Sequence, residues 1–116
     1  MGVQCEAISF DFANNSDYSR LLTKFDHVAM VVNNVGYFEI NKVLEMKPKD
    51  MSTMLKVNHR PVTLLTKHAI NRHVKGDGRG LGLVQVSSFS ALRWYATAGL
   101  YGGTKIYDRL FGFMID

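Results

Sequence analysis

The chain has 116 residues, 47% of them hydrophobic and 21% charged, which excludes an intrinsically disordered protein and predicts one globular domain over residues 1–116. The formal net charge is +4, but no two of the 14 lysines and arginines are adjacent, so we expect no nucleic-acid interface. A small ligand that carries a phosphate suits this mild positive charge as well as a nucleic acid does. No stretch approaches the roughly 18 continuous apolar residues of a membrane span, and no signal peptide is evident, so the chain as given is expected to be soluble.

The first third of the chain predicts two strands and a short helix. Residues 3–12 (VQCEAISFDF) alternate loosely and predict a strand, and the turn-forming ANNSDYS leads into a short helix over 17–24. The run HVAMVV at 27–32 is continuously apolar and β-branched, which is typical of a strand buried on both faces of a parallel sheet. The following NNVG is a turn.

A long helical pattern runs from about Asp50 to Lys75, after a connector (INKVLEM) that forms one helical turn or two. Pro61 lies inside this pattern and has no N–H to donate to the carbonyl of Val57. We therefore expect a kink or a break in the helix.

A glycine-rich loop, a strand and a last helix complete the chain. The loop KGDGRGLG at 75–82 precedes a strand instead of opening a helix, so it is expected to be a surface turn and not a phosphate site. The run LVQVSS at 83–88 predicts a buried strand, and residues 98–114 predict a helix that Gly102 and Gly103 weaken by roughly 1 kcal/mol each.

The alternation of strands and helices predicts an α/β fold with a parallel sheet. Ligand sites in such sheets lie beyond the carboxyl ends of the strands. Polar residues follow each predicted strand at this edge: Asp11, then Asn33, Asn34 and Gly36, then Ser87 and Ser88.

Three residues near the end of the chain have the chemistry of a proton-transfer site. Tyr101 and Lys105 are i, i+4 neighbours on one helix face, and an ammonium next to a phenol favours the phenolate. Ser88 can donate a hydrogen bond to a substrate oxygen. The structural alternatives are that Lys105 pairs with Asp108, that Tyr101 is a packing residue and that Ser88 forms a turn.

Several motifs in this order resemble the short-chain dehydrogenase/reductase family: NNVG after a buried strand, KVNHRPV in the next helix, and VSS followed by Tyr101 and Lys105. The NNVG form, together with FDF and DYSRLL, is most similar to the steroid dehydrogenase and very-long-chain 3-oxoacyl-CoA reductase branch. The resemblance implies an oxidoreductase that interconverts a ketone and a secondary alcohol with NADP or NAD.

The resemblance also implies roles for individual residues. Tyr101 would be the general acid/base, Ser88 would orient the substrate carbonyl, and Lys105 would lower the tyrosine pKa and hold the nicotinamide ribose. Asn58 would anchor a proton-relay water. Further cofactor contacts would come from Asn34 and Gly36 on the adenosine side and from Asp11 at the adenine ring.

The chain also departs from the family pattern. No TGxxxGxG segment is present, and YGGTK replaces the commoner Tyr-x-Ala-Ser-Lys. We therefore expect an internal fragment: a partial Rossmann-like, doubly wound parallel sheet that lacks the first two strands and the C-terminal strands, and that is inactive by itself. In the family order 3-2-1-4-5-6, residues 3–12 would be strand 3 and have no neighbour, so they would be detached or docked elsewhere, while 27–32 and 83–88 would pair in parallel.

Partners and location follow from the same resemblance. A small ketone or alcohol is the expected substrate of a complete enzyme, and the alternative is a non-catalytic module that dimerises through helices 50–75 and 98–115. The resemblance suggests the endoplasmic reticulum or the cytoplasm. Cys5 is the only cysteine, and the four histidines lack metal-ligand spacing, so no disulfide and no metal site are expected.

Overall fold

A computed structural model of the protein describes residues 2–25, 28–76 and 80–115. Its helices and strands alternate along the chain: α1 (Ser19–Leu22), β1 (Met30–Asn33), α2 (Pro48–Asn58), α3 (Arg60–Lys75), β2 (Gly82–Gln85) and α4 (Gly99–Phe113). Short 3-10 helices lie at Thr23–Phe25, Val43–Glu45 and Phe89–Ala91. The chain has the predicted α/β architecture, a partial Rossmann-like fold.

The two strands pair in parallel, as predicted, with Met30 opposite Gly82 and Asn33 opposite Gln85. Both are shorter than the predicted runs. Strand β1 begins at Met30, while His27, the first residue of the predicted strand, lies outside the described residues. Strand β2 ends at Gln85, although the backbone N–H of Val86 still donates to the carbonyl of Asn33 at 3.0 Å.

The sheet is covered on one face, and the prediction that 27–32 is buried on both faces is wrong. Val31 and Asn33 are buried, whereas Met30 and Val32 are 58% and 55% exposed. Helices α3 and α4 both lie on the Asn33 side of the sheet, because Gln85 on that face donates to Thr66 of α3 and contacts Gly112 of α4. Successive side chains of a strand point to opposite faces of the sheet, so covering one face of β1 buries every second side chain.

The long helical pattern is divided at His59 into α2 and α3, as the proline predicted. Pro61 occupies the first turn of α3, a position where the missing N–H costs no helical hydrogen bond. The carbonyl of His59 accepts from the backbone N–H of Thr63 at 3.1 Å, which starts the new helix.

Residues 3–12 do not form a strand, so that prediction is wrong. The segment instead packs its aromatic residues on the α1 region and α3. The ring centroid of Phe10 lies 4.9 Å from that of Phe12 and 5.0 Å from that of Tyr18. Tyr18 in turn packs with Leu21 of α1 and Leu65 of α3. A strand needs a neighbour to satisfy its backbone groups, and in the described part of the chain β1 pairs only with β2. The segment is therefore docked by its side chains and is not detached.

The remaining predictions agree with the elements observed or fall outside them. The helix predicted at 17–24 is α1 continued by a 3-10 turn, and the helix predicted at 98–114 is α4. The middle of the predicted glycine-rich loop, residues 77–79, lies outside the described residues. Within the described ranges, no helix is long and apolar enough to cross a membrane, and no group of three or more His, Cys, Asp or Glu could hold a metal ion.

Candidate active site

Lys105 lies at the centre of a buried polar cluster between the carboxyl end of β2 and the face of α4 that packs on the sheet. Its side chain is buried, and its ammonium donates to the carbonyl of Val86 at 2.9 Å and to Oδ2 of Asp108 at 2.8 Å. The hydroxyl of Ser87 donates to the carbonyl of Lys105 at 2.7 Å. The end of β2 therefore holds both the backbone and the side chain of this lysine.

Asn58, at the last turn of α2, joins three parts of the structure. Its Oδ1 accepts from the backbone N–H of Tyr37 at 2.7 Å, and its Nδ2 donates to the carbonyl of Tyr37 at 3.0 Å and to Oγ1 of Thr104 at 2.9 Å. Asn58 is fully buried. Its amide thus fixes the loop after β1 against α2 and α4, and both of its N–H groups are used.

Gly36 completes this cluster from the loop after β1. A Cβ atom at Gly36 would lie 3.7 Å from Nζ of Lys105 and 3.9 Å from Oδ1 of Asn58. Two of the three ammonium N–H groups of Lys105 have acceptors, and the third has none among the residues that the structure describes. The structure therefore brings Gly36, Asn58 and Lys105 together, and one N–H of the ammonium has no acceptor among the described residues.

Tyr101 and Ser88 flank this cluster. Tyr101 is half-buried, four residues before Lys105 on α4, and its ring lies 4.5 Å from the ring of Phe38. Thr104 links it to Asn58, since Oγ1 of Thr104 donates to the carbonyl of Tyr101 at 2.7 Å. Ser88 precedes the 3-10 helix Phe89–Ala91, and its Oγ accepts from the N–H of Ser90 at 3.2 Å.

Burial controls the electrostatics of the cluster. It raises the pKa of the Asp108 carboxyl, an effect that the hydrogen bond from Lys105 opposes. Partial burial lowers the pKa of His59, which also feels the charges of Asp108 and Lys105. Oδ1 of Asp108 and Nε2 of His59 are buried and have no hydrogen-bond partner among the described residues.

Two of the residues expected to bind cofactor lie apart from these contacts. Asp11 binds within its own turn: Oδ1 accepts from the N–H groups of Ala13 and Asn14 at 2.9 and 3.2 Å, and Oδ2 from the Asn14 amide at 2.8 Å. These hydrogen bonds, the largest from the Asn14 side chain, lower the pKa of Asp11. Asn34 is exposed in the loop after β1.

The structure contains the interactions that the sequence left open as structural alternatives. Lys105 pairs with Asp108, Tyr101 packs on Phe38, and Ser88 caps a turn. These contacts are compatible with chemistry at the same residues, because Lys105 retains a donor. Sequence reasoning missed Thr104 and Phe38, and the only signals for them were the small residue before Lys105 and the apolar side chains after NNVG.

The chain matches the family model for short chain dehydrogenases over residues 2–111. Among curated relatives, it is 24% identical over 114 residues to a diacetyl reductase [(S)-acetoin forming] of Staphylococcus epidermidis, an alignment that covers 95% of this chain and 44% of the relative. The chain thus spans less than half the length of this relative.

Solved structures agree in fold. A bulky-bulky ketone specific alcohol dehydrogenase from Comamonas testosteroni superposes with a TM-score of 0.79 at 18% identity, over 90% of this chain and 42% of that one. The closed form of a serine dehydrogenase complexed with NADP+ superposes with a TM-score of 0.77 at 20% identity, over 90% and 43%. At these identities the likeness shows the fold alone.

Proposed function

Because the chain belongs to the short-chain dehydrogenase family, we propose that it is the catalytic core of an oxidoreductase that interconverts a ketone and a secondary alcohol with NADP or NAD. The observation that carries the proposal is the buried ammonium of Lys105, held beside Gly36 and Asn58 one helical turn after Tyr101. A buried charge is costly, and clusters of this kind are typical of functional sites.

In this proposal, Tyr101 exchanges a proton with the oxygen of the substrate. Ser88 donates a hydrogen bond to the same substrate oxygen, and Asn58 keeps the loop after β1 in place against α4. The nicotinamide, when bound, supplies or accepts the hydride.

The residues present fit the ribose end of a dinucleotide. The ammonium of Lys105 has one N–H without an acceptor among the described residues, and a Cβ at Gly36 would lie 3.7 Å from Nζ, so a glycine at this position keeps a side chain away from the ammonium. Asn34 and Gly36 would serve the adenosine side, and Asp11 the adenine ring. The 116 residues contain no TGxxxGxG segment for the pyrophosphate, so this polypeptide by itself is proposed to be inactive.

We propose that the substrate is a steroid ketone or a 3-oxoacyl-CoA. The enzyme would then act in lipid metabolism, in the endoplasmic reticulum or the cytoplasm. The support is the similarity of NNVG, FDF and DYSRLL to that branch of the family. The diacetyl reductase relative acts on a smaller ketone, as its name states, so substrate comparison separates the two possibilities.

The test uses the protein as its gene encodes it, with whatever sequence flanks residues 1–116. Oxidation of NADPH or NADH is followed with steroid ketones, 3-oxoacyl-CoA and diacetyl. Tyr101→Phe is expected to lower kcat/KM by at least about a hundredfold, the contribution of a general acid/base group. Tyr95→Phe, on the exposed loop before α4, is the matched control. Normal turnover by Tyr101→Phe would remove Tyr101 from the mechanism, and no turnover by the wild type would refute the proposed activity.

A second candidate is a dimerisation module without catalysis. Ile106 and Leu110 form an apolar stripe on α4 and are 44% and 52% exposed. The other helices expected in the interface are α2 and α3, which cover residues 50–75. Sedimentation velocity would detect a dimer, which Leu110→Glu should dissociate. A monomer at all protein concentrations would exclude this candidate.

A further inference from the structure

An exposed aromatic ring lies directly on the tyrosine proposed as the acid/base. The rings of Phe38 and Tyr101 have centroids 4.5 Å apart and planes tilted by 51°, and Phe38 is 46% exposed. The Tyr101 hydroxyl belongs to the ring that Phe38 contacts, so a substrate oxygen bound to this hydroxyl would lie near Phe38. We propose that Phe38 is a specificity-determining residue that selects ketones with an apolar aryl or alkyl group beside the carbonyl; this inference rests on the proposed function.

The loop that carries Phe38 is fixed on both sides of the ring. On one side, Asn58 binds both the N–H and the carbonyl of Tyr37, at 2.7 and 3.0 Å. On the other side, the N–H of Asn41 donates to the carbonyl of Thr97, just before α4, at 3.2 Å. A wall that is already held in place loses little conformational entropy when a ligand packs on it.

The surroundings of Phe38 favour an apolar group over a charged one. The carboxylate of the next residue, Glu39, accepts from the hydroxyl of Tyr37 at 2.8 Å. Ile40 and Val43 of the same loop are 64% and 62% exposed, and Val43 reaches the start of α4 at Gly99. An aryl or alkyl substituent can cover these side chains, whereas a charged or strongly hydrated group would lose water without gaining a partner.

The test compares two ketones, acetophenone and diacetyl, in wild type, Phe38→Ala and Phe38→Leu of the protein as its gene encodes it. Binding is measured by titration with NMR detection of the Tyr101 ring, and turnover is measured with NADPH and NADH. Phe113→Ala is the matched control, because Phe113 is 75% exposed, twelve residues after Tyr101 on α4 and thus about 18 Å along the helix.

We expect Phe38→Ala to weaken acetophenone binding and lower its kcat/KM by about 2- to 12-fold, the range of one aromatic pair, and to leave the diacetyl values unchanged. Phe38→Leu, which keeps an apolar wall, should recover part of the preference. An unchanged ratio between the two ketones in both variants would overturn the inference, as would a lack of acetophenone binding to the wild type. Binding with this pattern but without turnover would contradict the proposed function and support the role of Phe38.

Discussion

Alanine substitution at two adjacent glycines of α4 is expected to change stability in opposite directions. Gly102 and Gly103 both lie in the helix, but their surroundings differ. A Cβ at Gly102 would lie 2.8 Å from the backbone carbonyl oxygen of Ser90, closer than real Cβ contacts, whereas a Cβ at Gly103 would have no atom within 4 Å. Replacing glycine by alanine increases the helix propensity equally at both positions, but only at Gly102 does the added Cβ clash with a neighbouring backbone atom.

The magnitudes follow from this difference. Alanine is about 0.8–1.0 kcal/mol more favourable than glycine inside a helix, so Gly103→Ala should raise the free energy of unfolding by about that amount. Gly102→Ala gains the same term but must displace a backbone carbonyl, and overpacking of this kind costs about 1–3 kcal/mol. Gly102→Ala should therefore be the less stable variant by about 1–3 kcal/mol.

Urea unfolding followed by circular dichroism measures both variants against the wild type. With an m-value of about 2 kcal/mol per molar urea, the midpoints should differ by roughly 0.5–1.5 M. The N–H of Ser90 donates to Ser88 at 3.2 Å, so the backbone amide resonances of Ser88 and Ser90 should shift in Gly102→Ala alone. Equal midpoints, or a more stable Gly102→Ala, would refute the close packing of α4 on Ser90.

Three further predictions concern the site. Lys105→Met leaves the buried Asp108 carboxylate without its cation and should lower the free energy of unfolding in urea by about 3–5 kcal/mol. The double variant with Asp108→Leu should recover part of this loss, and additive effects of the two substitutions would show that the two side chains do not interact. The free energy of unfolding should decrease as the pH falls below about 6.5, by up to about 1.4 kcal/mol per pH unit, because burial lowers the pKa of His59 in the folded chain below its value in the unfolded chain. In the same series of denaturation experiments, His59→Gln should show a smaller decrease. Titration of the purified 116-residue polypeptide with NADPH or NADH should give no saturable fluorescence or calorimetric signal at micromolar cofactor; a saturable signal would point to a phosphate site, with the 76–82 loop examined first.

Local sequence signals predicted those elements whose conformation depends on nearby residues. Pro61 located the division between α2 and α3 because the missing N–H and the ring act within one helical turn. The strands β1 and β2 were identified by their apolar runs, and their parallel pairing by the helices between them. Their burial was not predictable in the same way, because it depends on which helices cover each face.

The run at 3–12 shows where local signals fail. Its alternation suits a strand, but a strand exists only where another strand accepts its hydrogen bonds. In the described structure, Phe10 and Phe12 instead pack around Tyr18, which also packs with Leu65 of α3. The outcome depends on the partners available at long range.

The candidate site shows the same division. The spacing of Tyr101 and Lys105 placed both on one helix face, and the motif placed Asn58 within the long helical pattern shortly before Pro61, but no local pattern brings Asn58 to α4. That contact depends on the hydrogen bond to Thr104, 46 residues away. Spacing also left Asp108 open as a partner of Lys105, and the structure places the buried carboxylate of Asp108 2.8 Å from the ammonium.

Helix α4 buries a polar face where a helix packed on a sheet usually buries an apolar one. Thr104, Lys105 and Asp108 are each at most 3% exposed. Such groups cost stability unless they are fully paired, and Oδ1 of Asp108 has no partner among the described residues. Apolar residues at these positions would satisfy the fold at lower cost. The requirements of packing therefore do not explain this polar face, and its cost supports the proposed role of Lys105, whose ammonium has one N–H without an acceptor among the described residues.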